Sequence, residues 1–417
     1  MNDTKDDIDI IVEKELSKVE RELSRGIDIS IINLIDSLIE KAYKSGASDI
    51  HIDPRNKEVR VRLRIDGVLQ DTYVFPKNIH SEVISRIKVL ARLRTDEHQA
   101  TQDGRFRHIF SDNEFIDMRV SIAPTYHGEN AVMRLLSNNS ETFTLEGMGF
   151  SESNRKKIEH ALKKPSGMIL ATGPTGSGKT TTLYTLIKML NSKEVSIVTI
   201  EDPIEYAVEN IEQIQVNPHT GLTFSDGLRS ILRQDPDIIM VGEIRDADTA
   251  NIAINTALTG HLLLSTLHTS DAATTLPRLL DMGIEEYLVA STVNIAIGQR
   301  LVRKICSHCK EKTKMTPAFK ESLTNTSLGR LIQDGDIFYK GKGCKKCGNS
   351  GYLGRISINE VLVADDFIRE AIIRKATASE INKIAVEHGM VTMLEDGFLK
   401  VKEGKTTIEE IFRVIRE

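Results

Sequence analysis

One glycine-rich stretch restricts the possible folds of this chain more than any other feature. Residues 173–180 read GPTGSGKT, which matches the pattern GxxxxGK[ST]. An apolar run, MILAT at 168–172, comes directly before them, and a helical pattern, TTLYTLIKML at 181–190, comes directly after. A strand, this loop and a helix in that order are typical of a phosphate-binding loop (P-loop) in an α/β domain. A glycine-rich turn with an incidental lysine is the alternative, and the complete strand–loop–helix context disfavours it.

Each residue type in the loop has a physical reason to be there. Glycine lets the backbone wrap closely and direct its N–H groups at phosphate oxygens, and the following helix adds its positive N-terminal end. Lys179 would reach the β- and γ-phosphates, and the Thr180 hydroxyl would bind Mg²⁺. The predicted nucleotide-binding residues are Gly173, Pro174, Thr175, Gly176, Ser177, Gly178, Lys179, Thr180 and Thr181.

Three more apolar runs follow the loop and resemble the run before it. They are VSIVTI at 195–200, DIIMV at 237–241 and HLLLST at 261–266, and helical stretches separate them. Continuous apolar runs between helices are what a parallel sheet covered on both faces requires. The sequence therefore predicts an α/β fold with a RecA-like P-loop NTPase core.

Acidic residues stand where two of these strands end. One cluster contains Glu201, Asp202 and Glu205, and the other is Glu243. Ligands of open α/β sheets lie at the carboxyl ends of strands, so both clusters could face a bound triphosphate. Gly242 occupies the place where an aspartate usually precedes the second acid, which suggests that Mg²⁺ is held through water with help from Glu201 or Asp202. The alternative is that these acids are solvated strand ends.

Two histidines, His261 and His268, lie at either end of the third of these runs. A lone histidine is more often structural than functional. For this pair, a role in sensing the γ-phosphate is weighed equally against a structural one.

A different pattern precedes the P-loop region. Val59, Val61, Leu63 and Ile65 alternate with arginines, and Asp66-Gly67 follows, which indicates a half-buried strand and a turn. A second alternating strand covers 116–122, and helical spacing covers 31–42 and 83–90. The predicted parts of the chain are 1–26 (a charged helix or linker), 27–140 (a small α+β domain), 141–305 (the P-loop core), 306–360 (a four-cysteine zinc subdomain) and 361–417 (a helical region).

The four cysteines form two pairs, Cys306-Ser-His-Cys309 and Cys344-Lys-Lys-Cys347, with 34 residues between them. In a reducing compartment this spacing favours a metal over disulfides. Two CxxC turns can hold Zn²⁺ in a closed tetrahedral site, which is structural because no position stays open. Two alternatives remain: His308 replaces one cysteine, or the four thiols bind nothing.

Composition excludes several classes of protein. The net charge of −5 and a pI near 6.2 give no overall basic field, so binding of nucleic acid would need a local patch. No apolar stretch reaches the roughly 20 residues that span a bilayer. The acidic start, MNDTKDDIDIIVEK, is not a secretory signal. We expect a cytoplasmic protein whose membrane contact is peripheral.

Several motifs together resemble the secretion ATPase superfamily, in particular the type II secretion and type IV pilus assembly ATPases. The resemblance covers roughly residues 30 to 365 and rests on ASDIHIDP (47–54), HGENAVMRLL (127–136), GPTGSGKTTTLY (173–184), TIEDPIEY (199–206), LRQDPDIIMVGEIRD (232–246), TGHLLLSTLHT (259–269), GQRLVRKIC (298–306) and GCKKCGNSGYLGR (343–355).

The resemblance implies an ATPase that hydrolyses ATP with Mg²⁺, works as a homohexamer of two-domain subunits and pulls on an inner-membrane platform protein. It also implies that Glu205 is the catalytic glutamate, that Glu243 is a second essential acid, and that Arg105 and Arg119 contact ATP. Members usually carry a longer N-terminal docking region than the roughly 30 residues that precede the domain containing ASDIH here. The paired cysteines are typical of the assembly and secretion branches and absent from the retraction branch.

Two other functions compete with a secretion motor. One is a motor acting on nucleic acid, against which stand the acidic balance, the absence of Trp and only 5% aromatic residues for stacking on bases. The other is a switch that binds ATP without hydrolysing it, against which Glu205 and Glu243 stand.

Overall fold

The computed structural model describes residues 17–111, 114–136, 144–217, 220–314, 331–332 and 336–415. Contacts divide the chain into two compact units, Met1–Ser140 and Glu141–Glu417, which we call the first and second units. Among the described residues, no helix is both long and apolar enough to cross a lipid bilayer.

The first unit is an antiparallel sheet with helices. Its described helices are α1 (Lys18–Leu23), α2 (Ile31–Lys44) and α3 (His80–Leu90). Its strands are β1 (Ala47–Pro54), β2 (Glu58–Ile65), β3 (Val68–Pro76), β4 (Gln102–Ser111), β5 (Glu114–Thr125) and β6 (Gly128–Leu136), and they lie in the order β3-β2-β1-β6-β5-β4.

Alternation decides which side of this sheet is buried. Val59, Val61 and Leu63 of β2 are buried in the core with side chains of α2 and α3. The intervening arginines lie on the other face, where Arg62 pairs with Asp53. The chain enters the unit through α1, for which Ser17 is the N-cap. Of the predicted N-terminal helix, residues before Ser17, including Val12 and Leu16, lie outside the described residues.

The second unit contains the larger sheet. Its described helices are α4 (Leu145–Met148), α5 (Glu152–Leu162), α6 (Lys179–Leu190), α7 (Phe224–Ile231), α8 (Ala247–Leu258), α9 (Thr275–Asp281), α10 (Glu286–Thr292), α11 (Asp366–Ile373), α12 (Ala378–Glu387), α13 (Met393–Lys402) and α14 (Ile408–Ile415). Its strands are β7 (Gly167–Thr172), β8 (Ile197–Glu201), β9 (Glu212–Gln215), β10 (Ile238–Val241), β11 (Leu262–Leu267), β12 (Val293–Ile305), β13 (Lys310–Thr313), β14 (Phe338–Gly341) and β15 (Tyr352–Val363).

The large sheet has the strand order β15-β12-β7-β11-β10-β8-β9. Every neighbouring pair is parallel except β12 with β15. All residues of β7, β8, β10 and β11 are buried, because helices cover both faces. The predicted α/β fold is confirmed, and the four apolar runs form four neighbouring strands whose carboxyl ends share one edge.

Strand β15 joins the core sheet along its whole length. Its pairing with β12 runs from Ile295 opposite Val363 to Ile305 opposite Tyr352. The sheet therefore continues across residue 360, where the sequence predicted a domain boundary. The helical region after it also packs into the unit: Phe398 and Ile411 are buried in a cluster with Val302.

Candidate functional site

The P-loop follows β7 and has the backbone shape that its glycines permit. Gly173, Gly176 and Gly178 have φ angles of +143°, +78° and +91°, which side-chain-bearing residues rarely adopt. At Gly173 a Cβ would also lie only 2.4 Å from the carbonyl oxygen of Gln299. A side chain at Gly173 would therefore force the loop away from β12.

Lys179 begins α6 and folds back over the loop. Its Nζ donates to the carbonyl oxygens of Gly173 at 2.8 Å and Pro174 at 3.0 Å, and the residue is 8% exposed. Burial of the ammonium lowers the pKa of Lys179 to about 8, while the negative charge of Glu243 opposes this shift and Arg300 adds to it. The loop thus holds a cation whose hydrogen bonds go to neutral carbonyls, which suits it to exchange them for phosphate oxygens.

The start of α6 offers unused backbone donors. Its N-cap is Gly178, which supplies no side-chain hydrogen bond to the first turn. The first N–H groups of a helix attract anions when no side chain caps them. Thr180 and the loop residues 174–176 are exposed, and Thr181 is half-buried. The assignment of Thr180 to Mg²⁺ stays a prediction.

Glu243 lies two residues after β10, at the same edge of the sheet. It is 9% exposed, and one carboxylate oxygen accepts from Nε2 of His268 at 3.0 Å while the other pairs with Arg245. Its negative charge opposes the lowering of the pKa of Lys179, and both residues follow strands whose carboxyl ends share one edge. The structure therefore places Lys179, Glu243 and His268, three of the predicted residues, at the same edge of the sheet.

Arg245 was missed by the sequence reasoning. It is exposed, and its hydrogen bond to Glu243 raises the pKa of its guanidinium. Its position in the motif VGEIRD, two residues after the strand-end acid, was the available signal.

Gly242, which stands where an aspartate usually precedes the second acid, packs closely against β8. Its N–H donates to the carbonyl of Ile200 at 2.8 Å. A Cβ at Gly242 would lie 3.3 Å from that carbonyl oxygen and 3.4 Å from Cα of Glu201. A side chain at this position would therefore be in tight contact with the backbone of β8.

Glu201 is a structural acid, which corrects the expectation that it helps to hold Mg²⁺. It is 3% exposed, and its two carboxylate oxygens accept from the hydroxyls of Tyr184 at 2.5 Å and Thr199 at 2.6 Å. The Gln213 side chain donates to it as well, at 3.2 Å. Burial and the neighbouring carboxylate raise the pKa of Tyr184. Glu201 therefore joins α6 to β8.

Glu205 lies in the exposed segment that follows β8. Its side chain is exposed, and its backbone hydrogen-bonds to the Tyr184 hydroxyl, which also binds Glu201. The buried acid thus anchors the segment that carries the exposed one. Asp202, also exposed, lies close enough to raise the pKa of Arg245.

The two predicted histidines lie at opposite edges of the sheet. His268 follows the carboxyl end of β11, whereas His261 precedes its amino end and approaches the Thr256 carbonyl at 3.2 Å. A strand of this length spans about 20 Å. The structure therefore places His268, and not His261, at the P-loop edge, and a sensing role stays a prediction.

In the first unit, Arg105 and Arg119 stand directly opposite each other on β4 and β5, and Arg134 of β6 faces Arg119 in turn. Arg134 pairs with Asp49 at 2.9 Å, but within the described residues neither Arg105 nor Arg119 has a carboxylate partner. Like charges directly opposite are destabilising in a sheet. This pair is therefore suited to an anion from outside the unit.

The four cysteines meet in one cluster at the ends of β12 and β14. Their Sγ atoms all lie within 4.8 Å of one another, with separations of 3.9 Å for Cys306–Cys344 and Cys309–Cys347 and 3.7 Å for Cys344–Cys347. A tetrahedral ion with metal–sulfur bonds of about 2.3 Å separates its ligands by about 3.8 Å. The thiols are free, so the geometry fits Zn²⁺.

His308 is outside this cluster. It is exposed, and its Nε2 lies 3.3 Å from Nζ of Lys346. The alternative in which His308 replaces a cysteine is therefore not supported. The segment between the pairs contributes β13 and β14, which form a two-stranded sheet; 315–330 and 333–335 lie outside the described residues.

We expect the purified protein to contain about one zinc ion per chain. Cys306→Ser should lose most of this zinc on dialysis against a chelator and unfold at a lower temperature, since a closed site contributes to folding. His308→Ala, with a substitution inside the same CxxC turn, is the matched control and should keep its zinc. Elemental analysis after dialysis checks this; a stable, zinc-free wild-type protein would contradict it.

A buried carboxylate, which the sequence did not indicate, connects the P-loop edge of the large sheet to the C-terminal helices. Glu360 of β15 is 3% exposed and accepts the N–H groups of Ala272 at 2.9 Å and Met393 at 3.1 Å. Burial raises its pKa, and the two N–H donors oppose that shift. A Cβ at its strand partner, Gly298, would lie 2.9 Å from its Oε1. Glu360 therefore ties the loop after His268 to the start of α13.

This sheet, with a P-loop after its β7 strand and acids at the same edge, defines a P-loop nucleotide-binding protein. Residues 26–413 match the family model described as "Type II/IV secretion system protein". The chain belongs to this family.

Two curated relatives have high identity to the chain. It is 48% identical over 387 residues to Type II secretion system protein E of Xanthomonas campestris pv. campestris, covering 93% of this chain and 68% of that one. It is 46% identical over 377 residues to the type IV pilus assembly ATPase PilB of Thermus thermophilus, covering 90% of this chain and 42% of that one. The reading as a motor on nucleic acid is not supported by these relatives.

The fold also resembles that of a solved structure. The crystal structure of the pilus retraction motor PilT with bound ADP matches with a TM-score of 0.61 and 25% identity, covering 91% of this chain and 96% of that one. The resemblance extends across both units.

Proposed function

We propose that this protein hydrolyses ATP to ADP and phosphate and uses the reaction to power assembly of a type IV pilus, a pseudopilus or a type II secretion filament. The names of the Xanthomonas and Thermus relatives support the pathway. One observation in the structure carries the chemistry: a buried P-loop lysine and a strand-end glutamate, Lys179 and Glu243, interact at one edge of the sheet.

The P-loop supplies binding. Its N–H groups and Lys179 hold the phosphates, and Thr180 would hold Mg²⁺, which neutralises phosphate charge when it is bound. Because the carbonyls that now accept from Lys179 are neutral, the more strongly attracting phosphate oxygens would displace them. These groups position the triphosphate and do not by themselves activate water.

The acids supply activation of water. Glu205 is exposed in the segment after β8, and we assign to it the role of general base. Glu243 is held by His268 and Arg245. We therefore propose that Glu243 orients His268 and the phosphates that would bind magnesium. His268 is proposed to sense the γ-phosphate. Loss of the γ-phosphate would then change the contacts of His268, Glu243 and Arg245 directly.

The first unit supplies positive charge. Arg105 and Arg119, which face each other and have no carboxylate partner in the part of the chain that the structure describes, are proposed to contact the phosphates of ATP during hydrolysis. Arginine suits this because its planar fork grips phosphate in two places and stays charged.

The assembled machine is proposed to be a homohexamer at the cytoplasmic face of the inner membrane, acting on a platform protein embedded there. Its membrane contact would be peripheral. The four-cysteine cluster would hold a structural zinc ion in each subunit.

Removing either acid should separate binding from hydrolysis. We expect Glu205→Gln to bind MgATP near the wild-type affinity while turnover falls by about 10²–10⁴-fold, because activating water needs a carboxylate and cradling phosphate does not. Glu243→Gln should also lower turnover more than affinity, because it weakens the hold on His268 and Arg245 while the P-loop still binds the phosphates. Calorimetry for binding and phosphate release for turnover check this.

Glu209→Gln is the matched control, since Glu209 is an exposed acid in the same segment after β8. It should turn over normally. Normal turnover in Glu205→Gln would remove that residue from the mechanism, and loss of nucleotide binding would make it a structural residue.

A further inference from the structure

Gln299 is a buried side chain whose two amide ends both contact the P-loop region. It lies on β12, one residue beyond Gly298, which pairs with the last residue of β7. It is fully buried. Its Nε2 donates to the Ser177 carbonyl at 2.8 Å, and its Oε1 accepts from the Thr182 hydroxyl at 2.8 Å.

Gln299 also lies close to two glycines of the loop. A Cβ built at Gly173 would lie 2.4 Å from the main-chain carbonyl oxygen of Gln299. A Cβ built at Gly178 would lie 3.0 Å from its side-chain Nε2. The main chain of Gln299 therefore packs against the beginning of the loop, and its side chain packs against the end of the loop and the first turn of α6.

An amide satisfies both contacts at once. The Ser177 carbonyl can only accept, so it needs a donor, and the Thr182 hydroxyl donates to the opposite end. A glutamate would place an oxygen against the Ser177 carbonyl, and methionine would fill the space without either hydrogen bond. Gln299 is therefore chemically matched to this position.

The bond to Ser177 has a consequence for phosphate binding. The carbonyl of Ser177 and the N–H of Gly178 belong to one planar trans peptide, so they point in opposite directions. Holding that carbonyl toward β12 turns the Gly178 N–H away from β12. A P-loop binds phosphate through N–H groups turned in this way.

We propose that Gln299 is a positioning residue for nucleotide binding: it fixes the Ser177–Gly178 peptide so that the P-loop keeps its phosphate-binding form. This inference rests on the proposed function, because it concerns the same nucleotide site. Gln299 touches no phosphate itself.

The test compares Gln299→Met with Asn294→Leu. Asn294 is a matched control on the same strand: its side chain also makes two hydrogen bonds, to the Ser166 carbonyl at 2.9 Å and from Lys164 at 3.1 Å, but before the amino end of β7. Affinities for MgADP and MgATP are measured by calorimetry, the temperature of unfolding is measured without nucleotide, and KM and kcat are measured by phosphate release.

We expect Gln299→Met to weaken binding of both nucleotides by about tenfold, with KM rising and kcat changing much less. Asn294→Leu should keep affinity within about twofold of wild type even where it lowers the unfolding temperature as much. Thr182→Val, which removes one of the two bonds, should weaken binding by about threefold and serves if Gln299→Met does not fold.

Equal affinity losses in Gln299→Met and Asn294→Leu would overturn the inference, because they would show a general effect of stability. Unchanged affinity in Gln299→Met, or in Thr182→Val if that variant is used, would overturn it too. A wild-type protein that binds no MgADP or MgATP would instead overturn the proposed function.

Discussion

We expect Lys179→Ala to abolish ATP hydrolysis, with turnover falling by about 10³-fold or more. The wild-type ammonium is buried in the P-loop, and among the described residues it donates to the neutral Gly173 and Pro174 carbonyls, which phosphate oxygens can replace. Alanine leaves those carbonyls facing the phosphates, which adds repulsion to the lost attraction. Phosphate release from the purified variant measures the effect.

Lys188→Ala is the matched control for this variant. Lys188 lies in the last turn of the same helix, α6, over the ring of Tyr206. Its replacement should leave turnover unchanged. Wild-type turnover in Lys179→Ala would show that the site is assigned wrongly.

The lysine also predicts how binding depends on pH. With a pKa lowered to about 8 by burial, Lys179 is half deprotonated near pH 8 in the nucleotide-free protein. Phosphate binds the charged form, so binding above this pH must take up a proton. Nucleotide affinity should therefore fall as pH rises above 8, by up to about tenfold per pH unit, and stay level with respect to this group below pH 7.

We expect Arg119→Ala to lower turnover by about 10³–10⁵-fold, with only a modest loss of ATP affinity. Positive charge near the γ-phosphate matters most as the bond breaks, so its removal affects the transition state more than the bound ground state. Arg119 faces Arg105 across the β4–β5 pair, so Arg105→Ala and the double variant complete the set. Steady-state phosphate release and calorimetry measure the two effects.

Arg107→Ala is the matched control in the same sheet. Arg107 makes two hydrogen bonds to Asp117, at 2.8 and 2.9 Å, so its charge is already neutralised within the unit. It should hydrolyse ATP normally. Near-normal turnover in both single variants and in the double variant would remove the first unit from the chemistry.

Local patterns predicted much of the large sheet. The four continuous apolar runs correspond to the buried strands β7, β8, β10 and β11. They do not alternate with polar residues, because helices cover both faces of the parallel sheet. The P-loop was predictable because glycine positions and a lysine have fixed roles at short spacing. The cysteine cluster was predictable because CxxC turns carry their own geometry.

What the sequence did not reveal depends on contacts between distant residues. Most of strand β15 was assigned to the zinc subdomain. Its neighbour in the sheet, β12, lies far away along the chain, and the spacing of residues in a sequence does not show which strands pair. Glu201 was taken for a magnesium-side acid because two of its three donors, Tyr184 and Gln213, come from other elements and only Thr199 is its neighbour on β8. A polar residue inside an apolar strand, such as Gln299 in β12, was the available signal for a buried hydrogen bond.

Repeated turnover of ATP by the purified wild-type protein tests the central claim most directly. Phosphate release is followed at steady state with MgATP, with and without single-stranded and duplex DNA. The account predicts that each chain releases phosphate many times and that DNA leaves the rate unchanged. A single equivalent of phosphate or less per chain would show a nucleotide switch, and a rate that depends on DNA would show a motor acting on nucleic acid; either result would contradict the account.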